Sequence, residues 1–269
     1  MVPAPVFPRL VAIGGAEDKE GERAILREFV RLSGGEGASI VVIPSASETP
    51  DVVGELYQRI FQELGAPEVS VLTIAARDDA RNEAAMRQVE RATGTFFTGG
   101  DQLRIMNRLG GTGVDTTLHR RCEEGMVVGG TSAGAAVMSS TMIVEGETKS
   151  PRAGAVRTGP GLELLPGVII DQHFAQRGRI GRLLSVIGLF PHYLGVGIDE
   201  DTAIVVQGHR ATVIGSGAVT IVDAGGASFN DAVDTPTGAC ITLCEVTLHS
   251  LPHGRSFDLL ERKPILDSQ

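Results

Sequence analysis

The chain has 269 residues, enough to bury a sizeable core, and its 42% hydrophobic and 21% charged residues are ordinary globular proportions. A net charge of −9 with no run of Lys or Arg argues against a nucleic-acid binder, and no stretch of about 18 apolar residues offers a membrane span. Aromatic residues are only 4% and Trp is absent, so an aliphatic interior is expected.

The opening MVPAPVFPRLVAIGG lacks the basic segment and long apolar run of a secretory leader, which places the chain in the cytoplasm by expectation. Three cysteines, Cys122, Cys240 and Cys244, are too few for a disulfide framework. Cys240 and Cys244 stand four apart in GACITLCEV with no second pair at zinc spacing, so both are expected as buried core thiols and no metal site is expected.

In chain order, short β-branched runs at 10–15, 39–47, 69–74, 94–100 and 125–130 read as strands apolar on both faces. Between the first two, Ile25, Phe29 and Leu32 repeat at helical spacing and Gly34 supplies a stop. Thr49 and Pro50 suit an N-cap and first helical position ahead of Val53, Leu56, Ile60 and Leu64, and Gly65 closes that helix. Such alternation predicts an α/β fold with a doubly wound, mostly parallel sheet flanked by helices, whose ligands gather at the carboxyl ends of the strands. Beyond residue 194, strands separated by Gly-His and Gly-Ser-Gly turns predict an antiparallel meander, extended by ACITLCEVTL. No linker or repeat divides the chain, so residues 1–269 are expected to form one domain, with 146–167 as its one long loop.

Residues 127–136, VVGGTSAGAA, run from a strand into a helix and contain Gly130-Thr131-Ser132-Ala133-Gly134, a G-x-S-x-G elbow. That turn presents a serine in a strained conformation, and only small neighbours fit beside it. A phosphate-cradling loop is the alternative, but neither G-x-G-x-x-G nor G-x-x-x-x-G-K-[ST] is satisfied. A serine needs a base. Of six histidines, His173 in GVIIDQHFAQRGR closely follows an apolar strand and so reaches the edge where Ser132 sits. The orienting acid should end another strand, and GIDEDTA leaves Asp199, Glu200 and Asp201 open. Oxyanion donors are expected at the amide of Ala133 and at the Gly99-Gly100 turn, with Gly100 preferred.

The stretches IGGAEDK, FTGGDQ, GGTSAGA, DQHFAQRGRIGRL and GIDEDTA together resemble the cyanophycinase family of serine peptidases, relatives of the aspartyl dipeptidases. The resemblance implies a fold like class I glutamine amidotransferases, with serine in place of cysteine. It also implies a catalytic set of Ser132, His173 and Glu200, no cofactor, a homodimer, and hydrolysis of cyanophycin to β-Asp-Arg dipeptides. Each unit of that polymer carries a guanidinium and a carboxylate. Arg177, Arg179 and Arg182 are therefore expected on the carboxylate, and Asp101, Gln102, Asp171 and Gln172 near the guanidinium. Asp101 also suits a helix N-cap, and Asp171 a supporting place behind the site. Two rivals remain: an aspartyl dipeptidase of the same superfamily, and a non-catalytic protein binding an anion or nucleotide on its Gly-rich turns.

Overall fold

Where the sequence offers short β-branched runs, the chain forms strands, four of the five buried almost end to end and the edge strand less so. The computed structural model describes residues 8–266. Its first half runs β1 (Arg9–Ile13), α1 (Ala24–Leu32), β2 (Ser39–Ile43), α2 (Pro50–Glu63), β3 (Glu68–Val71), α3 (Glu83–Arg91), β4 (Gly94–Phe97), α4 (Gln102–Leu109), α5 (Gly113–Glu123) and β5 (Val127–Thr131). The five strands pair in parallel in the order β1-β5-β4-β2-β3. Parallel pairing needs crossovers, which the helices supply, and it brings the carboxyl ends of all five strands to one edge.

One face of this sheet departs from the aliphatic expectation. Phe29, Tyr57, Phe61 and Phe96 pack ring on ring with centroids 4.9–5.9 Å apart. Gly129 in the middle of β5 accommodates them, since a Cβ there would lie 2.7 Å from the Phe29 ring. Thr49 precedes α2 as expected, but its side chain makes no capping bond; Pro50 alone carries that start signal.

The second half comprises α6 (Ala133–Ala136), β6 (Thr141–Glu145), β7 (Arg157–Pro160), β8 (Val168–Gln172), α7 (Ile180–Leu189), β9 (Leu194–Ile198), β10 (Thr202–Gln207), β11 (Arg210–Gly215), β12 (Ala218–Asp223), β13 (Phe229–Asn230), β14 (Leu243–Cys244), β15 (Thr247–Pro252), β16 (Ser256–Asp258) and β17 (Lys263–Ile265). The expected meander is divided between two sheets. β10, β11, β16 and β17 extend the main sheet antiparallel from β1, giving nine strands, while β9 and β12 join β8 and β15 in a second sheet of four. β9 runs parallel to β8, so the carboxyl ends of β8 and β9 also lie side by side.

Two further expectations are corrected. The segment 146–167 is not wholly loop, because β7 lies within it and pairs with β6 just before it. ACITLCEVTL is broken into two short strands around Glu245, whose φ of 57° no strand adopts, and Cys240 and Cys244 are exposed rather than core thiols. Cys122 is buried, and burial pushes its thiol up to about 12. Among the described residues no helix is long and apolar enough to cross a membrane.

Candidate active site

β5 ends at Thr131, and Ser132 follows with φ 52° and ψ −109° before α6 begins. A side chain in that region is strained, and the surrounding packing holds it there. The two elbow glycines are steric necessities: a Cβ on Gly130 would meet the Gly134 carbonyl oxygen at 2.4 Å, and one on Gly134 would meet that of Phe97 at 2.3 Å. The Ser132 amide donates to the Ile13 carbonyl at 3.0 Å, and its own carbonyl accepts from Ala135 and Ala136.

His173 leaves the end of β8 with φ 49°, again left-handed, and its ring turns toward the elbow. Nε2 lies 2.9 Å from Ser132 Oγ, and Nδ1 lies 2.6 Å from Glu200 Oε1. The imidazole is 13% exposed and the Glu200 side chain 35%. With Nδ1 protonated and donating to Glu200, Nε2 is left to accept from the serine hydroxyl. The other two acids left open by spacing are committed to the backbone. Asp199 accepts from the amides of Ala175 and Ala218, and Asp201 accepts from that of Asp18.

These three segments come from different parts of the chain, yet all meet the end of β1. The carbonyls of Ile13, Gly14 and Gly15 accept in turn from the amides of Ser132 at 3.0 Å, His173 at 2.8 Å and Asp201 at 2.9 Å. Gly15 has φ 103°, and a Cβ there would sit 2.3 Å from Cε1 of the His173 ring. Sequence reasoning singled out neither Gly15 nor the buried Glu17 beyond it. The adjacent glycines in IGGAEDK were the available signal.

Beside the hydroxyl, a Cβ on Gly99 would stand 3.5 Å from the Ser132 Cβ, so the turn after β4 flanks the elbow. Gly100 has φ 141°, where an added Cβ would lie 2.1 Å from the Ala46 carbonyl oxygen. Asp101 is exposed and caps α4 by accepting from the Leu103 amide at 2.8 Å.

Most of the residues expected to meet substrate are instead engaged within the protein. Gln102 is buried and donates to the carbonyls of Ile143 and Val144. Asp171 and Arg182 form a two-point pair, with Nε to Oδ2 at 2.7 Å and the second bond from Nη2 to Oδ1; their side chains are 0% and 5% exposed. Arg179 donates to the Gln172 carbonyl at 2.6 Å, to its side-chain oxygen at 3.1 Å and to Glu147 at 2.9 Å. Burial pushes the Asp171 carboxyl up, with Arg182 and Arg179 pulling the other way, and burial lowers Arg179. The expectation of direct substrate contact is therefore revised for Gln102, Asp171, Gln172, Arg179 and Arg182, which are buried and each hold a partner within the protein, although the Arg179 Nε has none. Arg177 and Asp101 are exposed.

Comparison with known proteins matches residues 10–214 to Peptidase family S51. A cyanophycinase of Synechococcus elongatus is 42% identical over 253 residues, covering 93% of this chain and 79% of that protein. A cyanophycinase of Geminocystis herdmanii (strain PCC 6308) is 40% identical over 259 residues, covering 95% of each. Among solved structures, a peptidase from an acI-B1 Actinobacterium superposes with a TM-score of 0.68 at 21% identity, covering 94% of this chain and 97% of that one, a likeness of fold.

Proposed function

The chain belongs to peptidase family S51, and we propose that it is a serine-type exopeptidase that hydrolyses cyanophycin to β-Asp-Arg dipeptides in the cytoplasm, acting as a homodimer. The observation that carries this is the unbroken contact from Ser132 Oγ through the His173 ring to Glu200 at the edge where five parallel strands end. The names borne by relatives at 40–42% identity support the choice of substrate.

In the proposed reaction Ser132 Oγ attacks the carbonyl carbon of an aspartate backbone amide while His173 Nε2 takes the hydroxyl proton. Glu200 holds the ring and balances the imidazolium. The amides of Ala133 and Gly100 are assigned as the oxyanion donors, one at the elbow itself and one in the turn after β4 that flanks it. His173 then returns the proton to the departing amine as the C–N bond breaks, leaving an acyl-enzyme on Ser132. Water, deprotonated by the same ring, releases the acid. No step calls for a metal or organic cofactor. Asp101 and Arg177, the exposed charged pair among the residues considered, are assigned to the substrate guanidinium and carboxylate respectively. The buried cluster of Asp171, Gln172, Arg179 and Arg182 is assigned to holding β8 and the base.

Ser132→Ala should lower dipeptide release from cyanophycin by roughly 10⁶-fold, read by mass analysis of products. Turnover by the alanine variant at the parent rate, or a parent enzyme that cleaves only Asp-X dipeptides, would overturn the assignment.

A further inference from the structure

One buried acid has no part in that reaction. The Glu17 side chain is 1% exposed, in the loop after β1, and its carboxylate collects three donors. Thr131 Oγ1 donates to Oε2 at 2.5 Å, the Tyr57 hydroxyl donates to Oε1, and Lys19 Nζ stands 3.1 Å from Oε1. A buried carboxylate is costly to desolvate and gives no more stability than an apolar side chain would. Its location is what sets it apart, since Thr131 is the residue immediately before the strained Ser132.

We propose that Glu17 is a positioning residue that acts on Ser132 through Thr131, locking the peptide ahead of the nucleophile in the orientation that aims Oγ at His173; this rests on the serine-peptidase assignment above. Glu17 touches no reacting atom. Its hold is exerted on the Thr131 side chain, whose rotamer is fixed by a charge-assisted bond. Tyr57 closes the other side of the carboxylate, and burial with the nearby Glu17 charge keeps its phenol protonated and donating. The same loop already carries the Ile13, Gly14 and Gly15 carbonyls that take the amides of Ser132, His173 and Asp201. Glu17 is thus the side-chain fastening of a segment whose backbone joins all three parts of the site, and through Thr131 it bears on Ser132, which is held at a strained φ of 52°.

The test compares Glu17→Gln, Thr131→Val and Thr131→Ser with the parent, each checked for folding by circular dichroism. Two rates are read: phosphonylation of Ser132 by a fluorophosphonate, and kcat and KM on cyanophycin. Thr131→Val should slow phosphonylation and kcat by about ten- to hundredfold while KM stays within about twofold, because the nucleophile is misaimed and the substrate surface untouched. Thr131→Ser, which restores the hydroxyl, should recover most of the rate. Glu17→Gln combined with Thr131→Val should be no slower than the slower single variant, since both break one bond. Folded Thr131→Val reacting within about twofold of the parent, Thr131→Ser as slow as Thr131→Val, or multiplying losses in the double would each overturn the proposal. Should Glu17→Gln not fold, the two Thr131 variants decide alone. A parent protein that the fluorophosphonate does not label at Ser132 overturns the serine assignment as well, a result distinct from any confined to the variants.

Discussion

Replacing Arg182 by Leu isolates what the buried pair contributes. Asp171 has no exposed side-chain surface, and the substitution removes both its close hydrogen bonds, leaving Arg179 at 3.6 Å as its remaining cation. Removing one partner of a buried pair costs about 3–5 kcal/mol. The variant has an escape, because Asp171 can take up a proton. From a usual carboxylate value of about 3.9, protonation at pH 7 costs about 4 kcal/mol at roughly 1.36 kcal/mol per pH unit. The loss at pH 7 is therefore bounded at about 3–4 kcal/mol, a fall in Tm of roughly 6–16 °C for a chain of this size.

The sign of the pH dependence follows. In the variant the folded state holds a proton on Asp171 that the parent gives up once pH passes its own raised value, so the deficit grows as pH rises beyond that point and shrinks on acidification. Asp171→Leu with Arg182→Leu removes both charges and should recover at least half of the loss in stability. Calorimetry or circular dichroism reads the transition, since the chain offers no Trp for fluorescence. A single-variant loss below about 1 kcal/mol, or a double variant that loses the sum of the two singles, refutes the pair as scaffold.

Gly134→Ala should destabilise by about 1–3 kcal/mol even though Ala is the better helix former, because its Cβ falls 2.3 Å from the Phe97 carbonyl oxygen. An unchanged or higher Tm contradicts the steric account of the elbow. Asp18, which accepts from the amides of Arg23, Gly21 and Glu20, is held down from 3.8 to about 2, chiefly by the Arg23 amide. A depressed carboxylate stabilises the fold above its unfolded value, so the gap in urea midpoint between the parent and Asp18→Asn should be constant above about pH 5 and close as pH falls from about 4 toward 2. A gap independent of pH across that window rules the assignment out.

The parallel half of the fold was legible because strands buried on both faces announce themselves as continuous apolar runs, and the elbow because its sterics admit only small residues. The acid was not. Asp199, Glu200 and Asp201 stand in sequence after one strand, and what separates them is which backbone amides Asp199 and Asp201 cap, a matter of tertiary approach. Arg179 and Arg182 look like solvent-facing clamps because long cations usually are; the side of α7 that carries Arg182 is turned onto Asp171 instead. ACITLCEVTL has strand composition throughout, and the left-handed Glu245 that interrupts it leaves no mark in residue type. Glu17 escaped because composition assigns carboxylates to the surface, and the Thr131 and Tyr57 hydroxyls with the Lys19 ammonium make its burial tolerable.

The buried features share a mechanical logic around the proposed base. His173 has a left-handed φ of 49°, a conformation that neighbours must impose on a residue with a Cβ. On its amino side, the Gln172 carbonyl is gripped by Arg179 at 2.6 Å, and Arg179 is steadied by Glu147. Its own amide is taken by Gly14 at 2.8 Å, and Gly15 lies so close to the ring that no side chain fits between. The imidazole is thereby fixed by one clamp from α7 and another from β1, while Ser132 is fixed by that same end of β1. One strand end sets both positions and puts Oγ and Nε2 2.9 Å apart, within hydrogen-bond distance. A hydroxyl and a base aligned in advance avoid the reorganisation that would otherwise add to the barrier, so burying charged groups behind the site is consistent with selection for geometry rather than for stability.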